Sequence, residues 1–548
     1  MSLRDRTGQN PMKKDDWEKD MTEKTYIPLL TETTRRTCTI TARICRLMAV
    51  LMMLVMVVSL SGCRTGENLP ETDTAEETAD PSWRFEDRFA AKQACLNALD
   101  FLHHIKSYDE DAMNEYREFQ SQIREKLYDD NTTQGEYEAL YPQIREKAAK
   151  LSLKRGDTAR VYIYTGTGGG KISHSYMNCT MGFVPAEGGE GEEKTFLHCE
   201  IRIRGNSTSA GPKFPYSFKR PYNESLFGMD AGKRWCLLAN MGDYSLIRGR
   251  IGFALAEQLG CPYTPQSTFA DVYLNGEYIG NYELVEAISD AENRVDVDTK
   301  ANEMILEADN NRDDGSYYIR TEELGVRFKV DRPEKISSTQ KRYLHTFMEE
   351  MEAALTEDSD RYRDYIDVDS FVNVYLTLEY TKNLDSNAFS TRYFIKDDKL
   401  YAGPVWDFDL SAGNVSPHVE EEGYRIYLNI LGRGDDSGDS TNGLWNRENW
   451  FGALFEHEDF AEAVAARYRE MRPLLENVYA DNELGTSLIG RLQEQFGTSF
   501  RRNYEVWDIY QRYIPYQMDP GMDYDGHVQF LYDWFRDRLA YLDTVYMN

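Results

Sequence analysis

Residues 383–414 read NLDSNAFSTRYFIKDDKLYAGPVWDFDLSAGN and place two polar, acidic loops on either side of one predicted β-hairpin. The first loop carries Asp385 and follows a helix that the apolar pattern predicts over Phe371–Thr381. The second loop carries Asp407 and Asp409 and continues in small residues. Because a hairpin folds the chain back on itself, it brings both loops to the same end, although Asp385 and Asp407 are 22 residues apart.

Two neighbouring acidic loops suit phosphoryl transfer. That reaction needs a general base beside a hydroxyl, together with carboxylate or amide oxygens that hold Mg²⁺. A protein kinase supplies these groups from a catalytic loop, a hairpin and an Asp-Phe-Gly metal loop, and Asp407-Phe408 falls where the metal loop would be. The alternative is a purely structural acidic turn, because Asp is common in turns and helix caps.

A second polar segment precedes this stretch. Residues 202–209 (RIRGNSTS) end a predicted strand in a loop of small residues, and residues 215–219 (PYSFK) follow as another strand. Exposed N–H groups and hydroxyls with Arg204 and Lys219 nearby are suited to holding phosphates. Lys219 is equally explained as a surface lysine, since lysine is mostly solvent-exposed.

The wider pattern predicts an α+β protein. Residues 83–152 have the three-to-four spacing of amphipathic helices, and we expect them to pack as a helical extension without chemistry of their own. Short β-rich runs follow after Gly156, and helical patterns dominate from about Ser337. A β-rich part followed by a helical part most naturally gives two lobes, an N-lobe at 153–290 and a C-lobe at 291–548.

The N-terminal segment resembles an export signal. An unbroken apolar run, Leu47–Val58, follows Arg35, Arg36, Arg43 and Arg46, and residues 60–63 (LSGC) come after it. This ending is similar to a bacterial lipobox, in which Cys63 would be lipidated and become the mature N-terminus. The sequence therefore predicts a leader over 1–62 and an acidic, flexible tether over 63–82. The alternative is an uncleaved membrane anchor, although the run is shorter than the roughly 20 residues that a spanning helix needs.

The net charge of −30 makes nucleic acid an improbable partner, because an acidic surface repels phosphate backbones. Residues 1–62 carry a net +3, so the rest of the chain carries −33. Five cysteines follow Cys63, and no spacing among them suggests zinc. Cys179 and Cys199 lie on strands predicted to be neighbours, which allows either a disulfide or two buried thiols.

Five stretches share an order and spacing with one family. They are RGNSTS (204–209), PYSFK (215–219), WCLLANMGDYSLIR (235–248), DVYLNGEYIGNYELVE (271–286) and GPVWDFD (403–409). Together they resemble the CotH (spore coat protein H) family of secreted atypical protein kinases. The resemblance covers about 158–480, with weaker support to the C-terminus, and excludes the leader and the helices of 83–152.

The resemblance implies transfer of phosphate from ATP to protein Ser/Thr with a divalent metal, Mg²⁺ or Mn²⁺, on a diverged two-lobe kinase-like fold. Carried over by position, Asp385 would be the catalytic residue that orients the acceptor hydroxyl, and Asp407 would be the principal metal ligand. Asn383, Asn387 and Asp409 would support the metal site. The third residue of the Asp-Phe-Gly slot is Asp409 rather than Gly, and no His-Arg-Asp is present.

The resemblance also implies a nucleotide site. Arg204 and Lys219 would hold the ATP phosphates, and Glu286 would lie at the adenine hinge. Lys219 lacks an obvious glutamate partner, for which Glu257 on a predicted helix is the nearest candidate.

Two main functions therefore stand. The first is a lipid-anchored, extracytoplasmic bacterial kinase that acts on a protein substrate at the cell surface or in the envelope. The second is a non-catalytic envelope or assembly protein that reuses the CotH fold, since ATP is scarce outside the membrane. The presence of both Asp385 and Asp407 favours the kinase. A sugar-binding envelope protein is a third option, but core packing explains the aromatic residues better.

Overall fold

The computed structural model describes most of residues 85–547. Its gaps are 105–109, 150–154, 167–168, 206, 310–315, 358, 384, 387–388, 416–448, 510–517 and 519–520. The predicted leader with Cys63 and the acidic tether lie outside the described residues. Among the helices of the described part, none is both long enough and apolar enough to cross a membrane.

Three helices occupy the predicted helical extension: α1 (Arg88–His104), α2 (Glu110–Tyr128) and α3 (Gln134–Ala149). Their apolar faces bury one another, as the three-to-four spacing predicts. The same cluster includes Tyr164 from the following sheet, whose hydroxyl donates to Asp100 Oδ2 at 2.7 Å. The extension is therefore packed on the outer face of that sheet.

Seven strands form a closed barrel. They are β1 (Ala159–Tyr164), β2 (Met177–Val184), β3 (Lys194–Ile203), β4 (Tyr216–Glu224), β5 (Gly232–Leu238), β6 (Ser267–Leu274) and β7 (Glu277–Glu286). The strand order is β1-β2-β3-β4-β5-β7-β6, and β1 closes the barrel by pairing in parallel with β6, with Val161 opposite Val272. Alternate residues such as Phe218 and Trp235 fill the interior, so the barrel is a packed core.

Cys179 and Cys199 lie directly opposite each other on β2 and β3. Both are buried free thiols, and burial raises the pKa of Cys199 to about 12. The sequence allowed either a disulfide or two buried thiols, and the structure has two buried thiols.

A second sheet lies in the later half of the chain. Its strands are β8 (Met304–Ala308), β9 (Tyr317–Arg320), β10 (Arg327–Arg332), β11 (Thr391–Lys396) and β12 (Lys399–Ala402), in the order β12-β11-β8-β10-β9. The predicted hairpin is formed by β11 and β12, with Tyr393 opposite Ala402. β11 also pairs with β8, so the hairpin is part of the five-stranded sheet.

Helices complete the fold, as predicted for the second half. They are α4 (Arg248–Leu259), α5 (Ser338–Thr356), α6 (Val368–Thr381), α7 (Trp450–Leu454), α8 (Glu458–Glu476), α9 (Leu488–Val506) and α10 (Tyr524–Tyr546). Most of α6 is buried. Lys382 caps its C-terminal end, and the φ of 45° at Lys382 turns the chain into the first acidic loop.

Helix α9 joins the helical part to the barrel. Phe269 of β6 contacts Phe500 of α9 with ring centroids 4.8 Å apart. Asn503 Oδ1 accepts hydrogen bonds from Asn281 N at 3.1 Å and from the buried Lys213 ammonium at 3.0 Å. Helix α9 thus packs directly on the barrel.

The two sheets and the surrounding helices confirm the mixed α+β class. The closure of the first sheet into a barrel is a feature that the sequence did not predict.

Candidate active site

Three carboxylates meet where the hairpin begins and ends. One carboxylate oxygen each from Asp385, Asp407 and Asp409 lies within 4.8 Å of the others, and all three side chains are partly buried. Within the described residues, this is the one group of His, Cys, Asp and Glu side chains close enough to share a metal ion. The structure thus brings together the two loops that hairpin geometry predicted to be neighbours.

Hydrogen bonds between the loops fix the position of Asp407. Asn383 Nδ2 donates to the Asp407 carbonyl at 2.8 Å, and Ser390 Oγ donates to Asp407 Oδ2 at 3.0 Å. Asp407 itself has a φ of 64°, a left-handed conformation that is uncommon for a residue with a side chain. Asn414 Nδ2 donates to the Asp409 carbonyl at 2.6 Å and holds the far side of the same loop.

A buried ion pair supports the second loop from behind. Arg248, the first residue of α4, pairs with Asp243, and both side chains are almost completely buried. The guanidinium Nε also donates to the Ser411 carbonyl at 3.0 Å, and Nη2 donates to the Ala412 carbonyl at 3.3 Å. Arg248 therefore ties the metal-loop backbone to α4.

Phe408 anchors the loop between its two acids. Its ring is buried and packs edge-on against Phe253 of α4, with centroids 5.8 Å apart. A Cβ added to Gly252 would lie 2.3 Å from Phe408 Cγ, so a glycine at this position leaves the space that the ring occupies. In the Asp-Phe-Asp sequence, the two acids therefore belong to the carboxylate cluster, and the aromatic ring between them lies in the core.

Burial and electrostatic repulsion both raise pKa values in the cluster. Burial and the neighbouring Asp407 raise the pKa of Asp385 to about 7. Burial, followed by the charges of Asp407 and Asp385, also raises the pKa of Asp409 well above its usual range. A divalent cation would relieve this repulsion, and carboxylate oxygens are the ligands that Mg²⁺ prefers. The donor set therefore fits such a cation.

The raised pKa of Asp385 predicts how stability depends on pH. The folded protein holds this proton more tightly than the unfolded chain, so without metal the folded state loses stability as pH rises from about 4 to about 7. Asp385→Asn removes the charge. We expect its Tm to match that of the wild type near pH 4 and to exceed it by a growing margin up to pH 8, both measured in EDTA. A Tm difference between the two proteins that stays constant from pH 5 to pH 8 would contradict the raised pKa.

Arg204 lies close to this site. Its guanidinium carbon is 5.3 Å from the centre of the Trp406 ring, and Trp406 directly precedes Asp407. Trp406 also lines a cleft together with Asp385. Of the two cations predicted to hold phosphate, Arg204 is therefore the one next to the acidic cluster.

Lys219, the other cation predicted to hold phosphate, contacts residues outside the acidic cluster. Its ammonium pairs with Glu200 of β3 at 3.0 Å and lies 4.4 Å from the centre of the Tyr176 ring, and neither residue belongs to the acidic cluster. Strand alternation explains the placement: Phe218 fills the barrel, so Lys219 points outward. The carboxylate that pairs with Lys219 is Glu200, and the expectation of Glu257 was wrong.

Glu286 ends β7 and lines a separate pocket of about 220 Å³. Its carboxylate pairs with Arg294 at 2.9 Å and accepts a hydrogen bond from Gln266 N at 3.1 Å. Burial outweighs the Arg294 charge and raises the pKa of Glu286 to about 7. Glu286 is thus in a pocket, as an adenine-hinge residue requires, but its carboxylate is already engaged.

Several residues of the site had no sequence signal as functional residues. Arg248, Ser390 and Arg392 contact the acidic loops, yet none stands at a distinctive spacing from Asp385 or Asp407. Only the pairing of the second sheet and the position of α4 bring them there. Asn387, predicted to support the metal, lies outside the described residues.

Comparisons with known proteins agree with this geometry. A family model described as CotH kinase protein matches residues 201–542, from within β3 to the last helix. The match starts later than the resemblance in the motifs, at 201 instead of about 158, and extends further toward the C-terminus. A search of curated proteins finds no match. Since the family model covers more than half of the chain and includes all three carboxylates, the chain belongs to the CotH kinase family.

Proposed function

We propose that this protein is an extracytoplasmic kinase that transfers the γ-phosphate of ATP to Ser or Thr hydroxyls of a protein substrate. The observation that carries the proposal is the cluster of Asp385, Asp407 and Asp409, whose carboxylate oxygens lie within 4.8 Å of one another. Membership of the CotH kinase family supports the same reaction. In this proposal the barrel and the helical part are the two lobes of a diverged kinase fold.

The carboxylates divide into two roles. Asp407 and Asp409 would hold Mg²⁺ or Mn²⁺, which when bound neutralises phosphate charge during transfer. Asp385 would accept a hydrogen bond from the acceptor hydroxyl and take its proton. Burial of Asp385, which raises its pKa, would favour the carboxyl that results from this proton transfer.

The remaining nucleotide contacts come from residues around the cluster. Arg204 would bind phosphate oxygens from beside Trp406. The pocket lined by Glu286, Gln266 and Arg294 offers space and polar groups for a base. Lys219 has no part in this proposal, because its ammonium already pairs with Glu200.

The proposed location follows from the N-terminal segment. Cys63 would carry a lipid and anchor the protein in the membrane, with the acidic stretch up to residue 82 as a tether. The partner is then a protein of the cell surface or envelope, and the charge of −30 does not favour nucleic acid.

The function is tested by following γ-³²P transfer from ATP. We expect the full chain to label itself, or an acidic or basic test protein, in Mg²⁺ or Mn²⁺ and not in EDTA. Labelled Ser or Thr should be recovered after acid hydrolysis. If no label appears and ATP with Mg²⁺ leaves the Tm unchanged, the kinase is excluded and the non-catalytic envelope protein becomes the better account.

A further inference from the structure

A cation that the family resemblance does not single out lines the same cleft as the catalytic carboxylate. The cleft is bordered by Asp385, Ser386, Arg392 and Trp406. Arg392 is the second residue of β11, and its side chain is only 12% exposed. A buried arginine beside an acidic cluster needs a structural reason or a ligand.

The guanidinium of Arg392 is held firmly from one side. Its Nη2 donates to Glu307 Oε1 at 3.0 Å, and its Nη1 donates to the Ser390 carbonyl at 3.3 Å. Glu307 is itself fixed by Lys329, whose ammonium lies 3.2 Å from Glu307 Oε2. The guanidinium carbon lies 5.7 Å from the centre of the Trp406 ring. Such a planar group, already oriented, loses little entropy when it binds an anion.

Two polar atoms of this cleft lining have no partner. Arg392 Nε and Ser386 Oγ are both buried, and neither makes a hydrogen bond within the described structure. Ser386 as a whole is 2% exposed. Burial of a donor without a partner is unfavourable, and here two such donors line one cleft beside Asp385, which suits a ligand rich in acceptor oxygens.

A second arginine narrows the chemistry of that ligand. Arg204 also lies beside Trp406, so two guanidinium groups are within 6 Å of one ring that directly precedes Asp407. Arginine forks match the oxygens of phosphate groups, and the neighbouring carboxylates would hold a metal ion that neutralises phosphate charge.

We propose that Arg392, together with the Ser386 hydroxyl, binds a phosphate group in the cleft beside the acidic cluster, and that Glu307 is the positioning residue that orients Arg392. This inference rests on the proposed function for the origin of the phosphate, which is either the end of the nucleotide or the phosphoryl group of the product. It assigns the phosphate-binding role to Arg392 in place of Lys219.

The test measures binding rather than turnover. Inorganic pyrophosphate is titrated into the full chain in saturating Mg²⁺ by calorimetry. We expect Arg392→Gln to weaken binding by about 10-fold or more, as for a lost charge-assisted hydrogen bond. Arg392→Lys should recover part of the loss, and Glu307→Gln should produce a smaller weakening. Arg332→Gln is the matched control, because Arg332 is 14% exposed in the same sheet and pairs with Asp290 outside the cleft.

Two further probes separate the sources of the phosphate. A non-hydrolysable ATP analogue should lose affinity in Arg392→Gln if the group belongs to the nucleotide, and phosphoserine should do so if it belongs to the product. The inference is overturned if pyrophosphate does not bind, if Arg392→Gln binds it like the wild type, or if Lys219→Gln loses as much affinity. A wild type that binds pyrophosphate, but transfers no label and shows no Tm shift with ATP and Mg²⁺, would overturn the proposed kinase and leave this phosphate site standing.

Discussion

Asp407→Asn is expected to abolish phosphoryl transfer while making the metal-free protein more stable. Asp407 joins the two acidic loops. Burial raises the pKa of both Asp385 and Asp409, and the charge of Asp407 raises it further. Without that charge the cluster binds a divalent cation poorly, and the labelling rate should fall by about 10³-fold or more. The same change removes repulsion between half-buried carboxylates, so the Tm in EDTA should rise.

The opposite signs of these two effects separate a functional role from a structural one. Asparagine keeps an oxygen that can accept the hydrogen bond from Ser390, so the fold has no reason to fail. Asp369→Asn is the control, since Asp369 is an exposed acid at the start of α6. It should keep full labelling activity. A lower metal-free Tm for Asp407→Asn would mean that Asp407 is a structural turn residue, which is the alternative that the sequence left open.

Among the variants proposed for this protein, Arg248→Met is expected to lose the most unfolding free energy. The substitution leaves the Asp243 carboxylate buried without its cation, and it removes the donors to the Ser411 and Ala412 carbonyls. Breaking a buried ion pair in this way typically costs about 3–5 kcal/mol of unfolding free energy. Because the metal loop then loses these two hydrogen bonds to α4, labelling activity should fall even under conditions where the variant is folded.

Urea unfolding measures this loss. Arg501→Met provides the comparison, because Arg501 also pairs with an aspartate, Asp525, but both side chains are more than half exposed. That change should cost less than about 1 kcal/mol. If the two variants lose similar stability, Arg248 does not hold the metal loop as its contacts indicate.

The central hairpin could be predicted because its information is local. Two polar loops flank a short β run, and a hairpin has few ways to fold, so the meeting of Asp385 with Asp407 followed from about thirty residues. The helices of 88–149 were predictable for the same reason, since their apolar spacing is local.

Long-range pairing could not be predicted in the same way. The parallel contact between β1 and β6 joins segments more than a hundred residues apart, and neither strand carries a signal for its partner. The pairing of β3 with β4 likewise places Lys219 opposite Glu200, a contact that the PYSFK motif by itself does not indicate. The position of Arg392 also depends on long-range pairing. Only the pairing of β11 with β8 places Arg392 beside Glu307.

The most direct test of the central claim is a titration of the full chain with Mn²⁺, with free Mn²⁺ followed by its electron paramagnetic resonance signal. If Asp385, Asp407 and Asp409 form the metal site of a phosphotransferase, a Mn²⁺ ion should bind to the wild type, and ATP should tighten its binding. This ion should be lost in Asp407→Asn and retained in Asp369→Asn. Absence of bound Mn²⁺ in the wild type, or equal binding by Asp407→Asn, would contradict the account.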